Sequence, residues 1–554
     1  MKKVLKIIPL GGLNEIGKNM TAYEYGNNIV IVDCGVKFPE DEMLGIDLVI
    51  PNFNYLIENK EKIRALLITH GHEDHIGGIP FFLQDIDVPI YTAKLTAALI
   101  RRKLEEHPQL PKVRINEITD GQEIKIGPYV VEFIRVNHSI PDAMAICIKT
   151  PLGAIIQTGD FKVDYTPIDN KPINLQRFAE LGHEGVLALL ADSTNAARPG
   201  YTMSESSVGD TFETLFRHAD DKRIIVASFA SNVHRLQQIV NAAIINDRKV
   251  AFSGRSMLNT VRVATEIDYL NIPENALIDV EDANRYPDNE ICIVTTGSQG
   301  ESMAALTRMA NNDHFSVQIR EGDLIILSST PIPGNEKSVS RVINKLYEQG
   351  AEVVYNKLAD VHVSGHACQE ELKIIHSLVK PKYFIPVHGE FTHLMQHAGL
   401  AQKMGMGKDD IFIIENGDVI EFSAQGAKRA GKVESGSTLI DGLGVGDIGN
   451  VVLRDRRILS EEGLIMIVVA MNGDGKFLSG PDLVSRGFIY IRESEEFMNT
   501  ARQKLQSKMA HIENEGIKEW AKVKSLLKNE LSQYIYQEMR RRPIILPVIV
   551  NIQS

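Results

Sequence analysis

Short apolar runs closed by turn residues set the rhythm of the first part of the chain. Residues 3–9, 28–33, 63–69, 88–91, 129–136, 144–149, 154–157 and 186–191 each read as a short strand, several ending in Gly, Asp or Asn, with a helix over 92–105 among them. Strands interleaved with helices predict an α/β layered sandwich. Past residue 210 the alternation becomes regular. Strands at 223–228, 249–252, 291–296, 323–328 and 351–355 alternate with helices at 232–246, 256–268, 301–311 and 336–349, which predicts a doubly wound parallel unit. The strand-rich character of the first part returns at 383–387 and 411–422. A glycine-rich stretch, Gly442 to Gly449, then leads to a C-terminal module with strands at 451–453, 464–470, 486–491 and 544–551 and helices at 495–515 and 518–540. The expected boundaries are therefore 1–209 for the first layered part, 210–356 for the inserted unit and 357–435 for the segment completing the first part. A linker is expected over 436–450 and an α+β domain over 451–554.

At 554 residues the chain is too long for one hydrophobic core, so roughly two to four domains are expected. With 44% hydrophobic and 24% charged residues, it falls outside the disordered and fibrous classes. The longest apolar runs, such as Leu464 to Met471, fall far short of the roughly 20 residues of a membrane span. The basic, then apolar, start lacks a small-residue cleavage site and reads as a first strand, not a signal peptide. Cys34, Cys147, Cys292 and Cys368 are scattered, which predicts neither a disulfide framework nor a CxxC site and fits a reducing cytoplasm. A net charge of −12 argues against nonspecific coating of nucleic acid. It leaves a nucleic-acid enzyme open, because metal ligands are acidic and a basic groove can be local.

The densest chemistry lies at residues 68–78, where His70, His72, Asp74 and His75 fall just after an apolar strand and among Gly71, Gly77 and Gly78. Neutral imidazole and carboxylate are ligands for zinc or manganese, and four of them so close together suggest two metals. Three further strand-end residues complete such a site: His138, His388 and Asp160, the last suited to bridge two cations. Elsewhere, Ser228 to Arg235 (with Ser231, Asn232, His234 and Arg235), Ser253 to Ser256, and Gly297 to Glu301 (with Ser298) are strand-to-helix turns. Their hydroxyls and backbone N–H groups could receive a phosphate or could simply cap helices. Arg101 to Lys103 reads as a solvated helix face, and Arg540 to Arg542 as cations at a helix end.

The ligand set His70-x-His72-x-Asp74-His75, His138, Asp160 and His388 resembles the motifs of the metallo-β-lactamase fold. Interruption by a second α/β unit resembles the β-CASP nucleases, whose marks appear at Asp192 in Leu189 to Asn195, His366 in His362 to His366, and His388. Gly11 to Asn19, Gly297 to Glu301 and Gly446 to Asn450 look like bacterial ribonuclease J, and the resemblance covers nearly the whole chain.

That resemblance implies a four-layer αββα sandwich interrupted by a doubly wound β-CASP domain, plus a small α+β C-terminal domain. It implies a cytoplasmic RNA-processing nuclease with endonucleolytic and 5′-to-3′ exonucleolytic activity. His70, His72 and His138 would hold one divalent metal and Asp74, His75 and His388 the other, zinc or manganese, or magnesium in assay. Asp192 and His366 would share general acid-base duties, although Asp192 could instead orient a metal-bound histidine and His366 could instead contact phosphate. His362, Val363, Ser364, Gly365 and His366 would touch the RNA backbone beside a 5′-monophosphate pocket. Gly45, Asp47 and Asp441 resemble ligands of a structural calcium. The expected partners are single-stranded RNA with a 5′-monophosphate, a second or further copies as homodimer or homotetramer, and a paralogous ribonuclease J subunit. A noncatalytic RNA-binding subunit is the alternative, and the seven intact ligands weigh against it. An enzyme acting on DNA or a small ester is less suited to an inserted domain, which provides a channel for a polymer.

Overall fold

Alternating inward-facing residues dictate the first sandwich. In the computed structural model, which describes residues 4–40, 42–297, 304–331, 335–356, 358–489 and 495–552, two sheets lie face to face. The eight-stranded sheet runs Gly426–Lys432, Asp418–Ser423, Leu5–Gly11, Met20–Tyr25, Asn28–Val32, Ile63–Leu67, Ile90–Thr92 and Ile115–Glu117. The six-stranded sheet runs Tyr383–Val387, Val186–Asp192, Gly153–Gln157, Met144–Thr150, Tyr129–Arg135 and Glu123–Ile126. Tyr23, Val30, Val32 and Leu67 of the first meet Tyr129, Phe133, Ile146 and Leu190 of the second in one buried core. The helices Leu175–Glu184, Gln369–Val379 and Phe391–Lys403 cover the outer face of the second sheet through Phe178, Ile375 and Leu400. Helices on the far side of the first sheet complete the αββα order, with Phe53 and Phe82 edge to face at 5.5 Å.

The inserted unit is one parallel sheet, ordered Leu277–Ile278, Lys249–Ser253, Ile291–Thr295, Ile224–Ser228, Leu324–Ser328 and Glu352–Tyr355. Its strands are continuous apolar runs because both faces are covered. Ile224 and Val226 point to one core, with Leu236 and Met257 of the helices Val233–Ile245 and Arg255–Glu266. Ile225 and Ala227 point to the other, with Met309 and Leu346. Leu95 and Ile140 of the sandwich are buried in the first of these cores.

Residues 38–49 and 438–554 form a second compact unit. Its sheet orders Phe477–Arg486, Leu464–Met471 and Ile544–Asn551, the middle strand antiparallel to the first and parallel to the last. Ile465, Ile467, Val469 and Met471 pack under Leu505 and Leu527 of the helices Glu495–Asn514 and Trp520–Met539. Among the described residues no helix is long and apolar enough to cross a membrane.

Several expected elements are corrected. Residues 451–453 belong to the helix Asn450–Glu461, because the apolar triplet is followed by charged residues with no turn signal before Gly463. A strand the sequence reading missed runs over Phe477–Arg486, hidden by its Ser-Gly-Pro-Asp content; of the strand expected at 486–491, residues 487–489 are not strand and 490 and 491 lie outside the described residues. The expected linker at 436–450 is partly ordered as a hairpin, Ser437–Asp441 pairing with Gly444–Val445. The helix expected at 301–311 is Ala305–Ala310, its first three positions lying outside the described residues.

Arg235 is not available to a phosphate. It is 0% exposed, donates to Glu205 Oε1 at 2.6 Å and to Ser328 Oγ at 2.8 Å, and reaches the Val361 carbonyl at 3.3 Å. Asn232 is likewise buried, its side chain accepting from the Arg235 N–H as the cap of the helix. Arg235→Ala would strand the Glu205 carboxylate in the interior, a loss of about 3–5 kcal/mol for a broken buried pair. Urea unfolding followed by a probe in the inserted domain should show that transition moving to markedly lower denaturant; an unchanged midpoint would contradict the role of the pair.

Candidate metal centre

The expected ligands sit at strand ends of the sandwich or on the short helix that follows one of those ends. His70 follows Ile63–Leu67, and His72 caps the short helix Glu73–Ile76 that carries Asp74 and His75. That helix lies so close to the neighbouring loop that a Cβ on Gly35 would stand 1.6 Å from the Asp74 carbonyl oxygen. His138 follows Tyr129–Arg135, Asp160 follows Gly153–Gln157, and His388 follows Tyr383–Val387. Gly159, at φ +58°, makes the turn before Asp160 that an L side chain would resist.

The side chains converge in two groups that share Asp160: His70, His72 and His138 in one, Asp74, His75 and His388 in the other. In the first, His72 Nδ1 is 3.1 Å from both His70 Nε2 and His138 Nε2, which lie 3.7 Å from Asp160 Oδ2. In the second, His75 Nε2 and His388 Nε2 lie 3.3 and 3.5 Å from Asp160 Oδ2, and 3.5 and 3.2 Å from Asp74 Oδ2.

Hydrogen bonds behind the rings decide which nitrogens can bind. His138 Nδ1 is 2.7 Å from the Gly365 carbonyl, which can only accept, so Nδ1 carries the hydrogen and Nε2 is left with its lone pair. His75 Nδ1 donates in the same way to Asp33 Oδ2 at 2.8 Å. Two hydroxyls act as relays. Thr69 gives its hydrogen to Asp33 and accepts from His70 Nδ1, while Thr194 gives its hydrogen to Asp192 and accepts from His388 Nδ1 at 2.7 Å. Lone pairs therefore face one another across the centre, an arrangement that a cation stabilises and that empty space does not.

Protonation follows the same logic. Burial, reinforced by neighbouring imidazoles, pushes His70 and His138 well below the usual histidine range, and burial holds His72 down at about 4. Burial also disfavours charge on His75 and His388, but Asp160 and the other nearby carboxylates outweigh it and draw both upward. The second group thus demands positive charge. Asp160 Oδ1 is buried with no hydrogen-bond partner among the described residues, as suits an oxygen that a metal would take. Nitrogen and oxygen donors without thiolate fit a hard or borderline divalent ion.

The comparisons agree along the chain. Residues 13–222 match the metallo-beta-lactamase superfamily, 221–346 the ribonuclease J beta-CASP domain, 350–414 a Zn-dependent metallo-hydrolase RNA specificity domain, and 451–552 the ribonuclease J C-terminal domain. The chain is 44% identical to ribonuclease J2 of Bacillus subtilis over 550 residues, covering 99% of each. It is 46% identical to ribonuclease J 1 of Streptococcus pyogenes over 554 residues, covering 98% of this chain and 97% of that one. The chain belongs to the ribonuclease J family. A solved protein of unknown function from Enterococcus faecalis superimposes with a TM-score of 0.54 at 16% identity, over 76% of this chain and 100% of that one, and speaks only to fold. Family, fold and ligand set together make this a metal-dependent nuclease that binds divalent metal.

The other residues expected from the ribonuclease J resemblance are placed as follows. His366 sits on the rim of both groups, its ring centroid 5.0 Å from that of His138 and 5.5 Å from that of His388, and its Nδ1 2.7 Å from Asp192 Oδ2. Ser364 Oγ accepts from Asn195 Nδ2 at 2.9 Å, Val363 is buried, and His362 Nδ1 lies against Arg235. Ser231 is half-buried at the start of its helix, and His234 lines a cavity shared with His138 and Lys162. Ser298 lies outside the described residues. Of the calcium candidates, Asp47 Oδ2 accepts from the Gly442 N–H at 2.7 Å, while Asp441 pairs with the Arg456 guanidinium, which also donates to the Leu44 carbonyl at 2.9 Å and lies where a Cβ on Gly45 would stand. Both acids have protein partners in this structure.

Sequence reasoning missed Asp33, Thr69, Thr194 and Asn19, whose amide nitrogen lies 3.2 Å from Asp74 Oδ2. Asp33 at the end of Asn28–Val32 had the strand-end signal but stands outside the histidine motif. Because it anchors both Thr69 and His75, Asp33→Asn should weaken metal binding roughly 10- to 100-fold, the usual cost of losing such a supporting partner. Competition against a chelator would measure this, and unchanged affinity would show that Asp33 merely packs.

Proposed function

We propose that the chain is a ribonuclease with 5′-to-3′ exonuclease and endonuclease activity that hydrolyses phosphodiesters at a site for two divalent cations, zinc or manganese. The observation that carries this reading is the pair of ligand groups sharing Asp160. His70, His72 and His138 would hold one cation and Asp74, His75 and His388 the other. Bound there, divalent cations supply Lewis acidity towards water and phosphoryl oxygen.

The remaining work falls to the chain's own residues. Burial alone would raise the Asp192 carboxyl, but His366 by charge and hydrogen bond, with His388, holds it well below the usual range. Its Oδ2 is committed to His366, and its Oδ1 accepts from the Thr194 N–H and hydroxyl at 2.9 and 2.7 Å. An ionised carboxylate so engaged is a poor acid. Of the two readings of Asp192, the geometry favours a positioning residue. His366 is then the proton donor to the leaving 3′ oxygen: burial disfavours its charge, yet Asp192 raises it. Ser364, accepting from Asn195 Nδ2 and from the His366 N–H, keeps its hydroxyl hydrogen for an anion. A pocket of such neutral donors suits one phosphate, hence a 5′-monophosphate end on single-stranded RNA.

Self-association through the C-terminal sheet belongs to the same reading. Val484, Met466 and Leu546 lie in register across its open face, flanked by Asp482, Val468 and Val548 on one side and Arg486, Leu464 and Ile544 on the other. A two-fold axis along the central row would stack two copies face to face and set Asp482 against Arg486 of the partner subunit. Val484 and Leu546, 42% and 48% exposed, would be covered.

Three experiments test these readings. His72→Ala or Asp160→Ala should lose bound metal and RNA cleavage while keeping the circular dichroism of the wild type, and wild-type exonuclease should prefer 5′-monophosphorylated over 5′-triphosphorylated RNA of the same sequence. Full activity in either metal-reconstituted variant refutes the centre, and equal decay of both ends refutes the pocket. Val484→Glu with Leu546→Glu should lower the particle mass by light scattering, and an unchanged mass places the interface elsewhere.

A further inference from the structure

The loop that carries His138 is held at its far end by the inserted domain. Only three residues separate His138 from Asp142. Ile140, between them, is 1% exposed and, with Leu95, is buried in a core built mainly from the inserted domain. Asp142 takes a left-handed backbone at φ +62°, a conformation that needs support in a residue with a side chain. Its Oδ2 accepts from two donors: the Leu95 N–H at 3.3 Å, in the first turn of the helix Lys94–Glu105, and the hydroxyl of Tyr269 in the inserted domain. That helix has no capping side chain of its own at Ala93, so Asp142 does this from a distance. Lys94 completes the contact, its Nζ 5.8 Å above the Tyr269 ring and 3.1 Å from the Ile267 carbonyl. At its other end the loop is fixed by the His138 Nδ1–H donated to Gly365, where a Cβ would come within 2.6 Å of the imidazole.

We propose that the Asp142–Tyr269 hydrogen bond is a latch through which the inserted domain positions His138 for metal binding. This rests on the reading of His138 as a ligand. Domain seating and ligand geometry are then one property: a shift of the helix Arg255–Glu266 and the Tyr269 turn is passed along four residues to an imidazole whose Nε2 must lie within a few tenths of an ångström of its place. Tyr269 acts through Asp142 and His138 and is a positioning residue.

The test uses the full chain. Tyr269→Phe keeps the ring and its contact with Lys94 and removes only the hydroxyl. Zinc titration against a chelator should show one of two bound ions held roughly tenfold more weakly, the lower end of what supporting partners contribute, with the other ion unaffected. kcat on a short RNA should fall with KM unchanged and recover at raised zinc. Asn259→Ala removes a contact of Arg102 across the same domain boundary, 3.4 Å long, without touching the His138 loop, and should leave both affinities at the wild-type value. Unchanged zinc affinity in Tyr269→Phe, or equal weakening in Asn259→Ala, overturns the latch. His138→Ala separates the two ideas: if it still binds both ions, the ligand assignment is wrong; if it loses one while Tyr269→Phe loses none, only the latch is.

Discussion

The centre is organised around the carboxylate of Asp160, buried at the meeting point of four imidazoles whose Nε2 atoms lie 3.3 to 3.7 Å from its Oδ2. An ionised carboxylate taken out of water costs several kcal/mol unless it is paired and hydrogen-bonded. Here its partners are rings whose other nitrogens are already occupied by Thr69, Asp33, Gly365 and Thr194. The rings cannot rotate away from the carboxylate; burial keeps His70 and His138 neutral, while the nearby carboxylates draw His75 and His388 towards the charged form. The cluster calls for positive charge, which protons on His75 and His388 supply when no cation is bound and a divalent cation supplies in their place.

That constraint explains why so much of the surroundings is small or polar. Gly35 lets the helix carrying Asp74 and His75 approach the loop after Asn28–Val32, and Gly365 lets a carbonyl reach His138. Asp33 and Asp192 play matching parts on opposite sides: each sends one oxygen to a histidine Nδ1 and another to a threonine hydroxyl that serves a second histidine. His70 and His75 on one side, and His366 and His388 on the other, are thus held by two copies of one hydrogen-bonding device, built from unrelated stretches of chain.

Legibility in the sequence tracks how local each signal is. The clustered histidines and aspartates were readable because such a residue at or just past the end of an apolar strand, near glycine, has few structural uses, and seven of them reinforced one another. The inserted sheet was readable because strands buried on both faces are continuous apolar runs. Asp33 and Thr194 were not, since their importance lies in contacts made 36 to 194 residues away. Arg235 and Asn232 show the opposite failure. A serine- and asparagine-rich turn opening a helix looks the same whether it receives a phosphate or caps the helix, and only the buried Glu205 and Ser328 beside Arg235 tell which. The strand Phe477–Arg486 was lost because Asp482 and Arg486 on its exposed face alternate with Leu483 and the buried but polar Ser485, so no apolar run marks it.

The interruption of the sandwich by a whole domain is compatible with so exact a centre for a topological reason. The chain leaves the sandwich after Val186–Asp192 and comes back beside that exit, where His366 Nδ1 lies 2.7 Å from Asp192 Oδ2, before the helix Gln369–Val379 carries it to the adjacent parallel strand Tyr383–Val387. Loop-closure entropy grows only as about (3/2)RT ln n, so a folded insertion of this length strains the strand pair little if its two ends leave side by side. Arg235 keeps those ends together by joining Glu205 on the outgoing segment to Ser328 and to the Val361 carbonyl on the returning one. His366 and His388 lie beyond the return, which makes the knot around Arg235 part of what assembles the site. The insertion therefore leaves the clustered histidines and aspartates on both sides of it together.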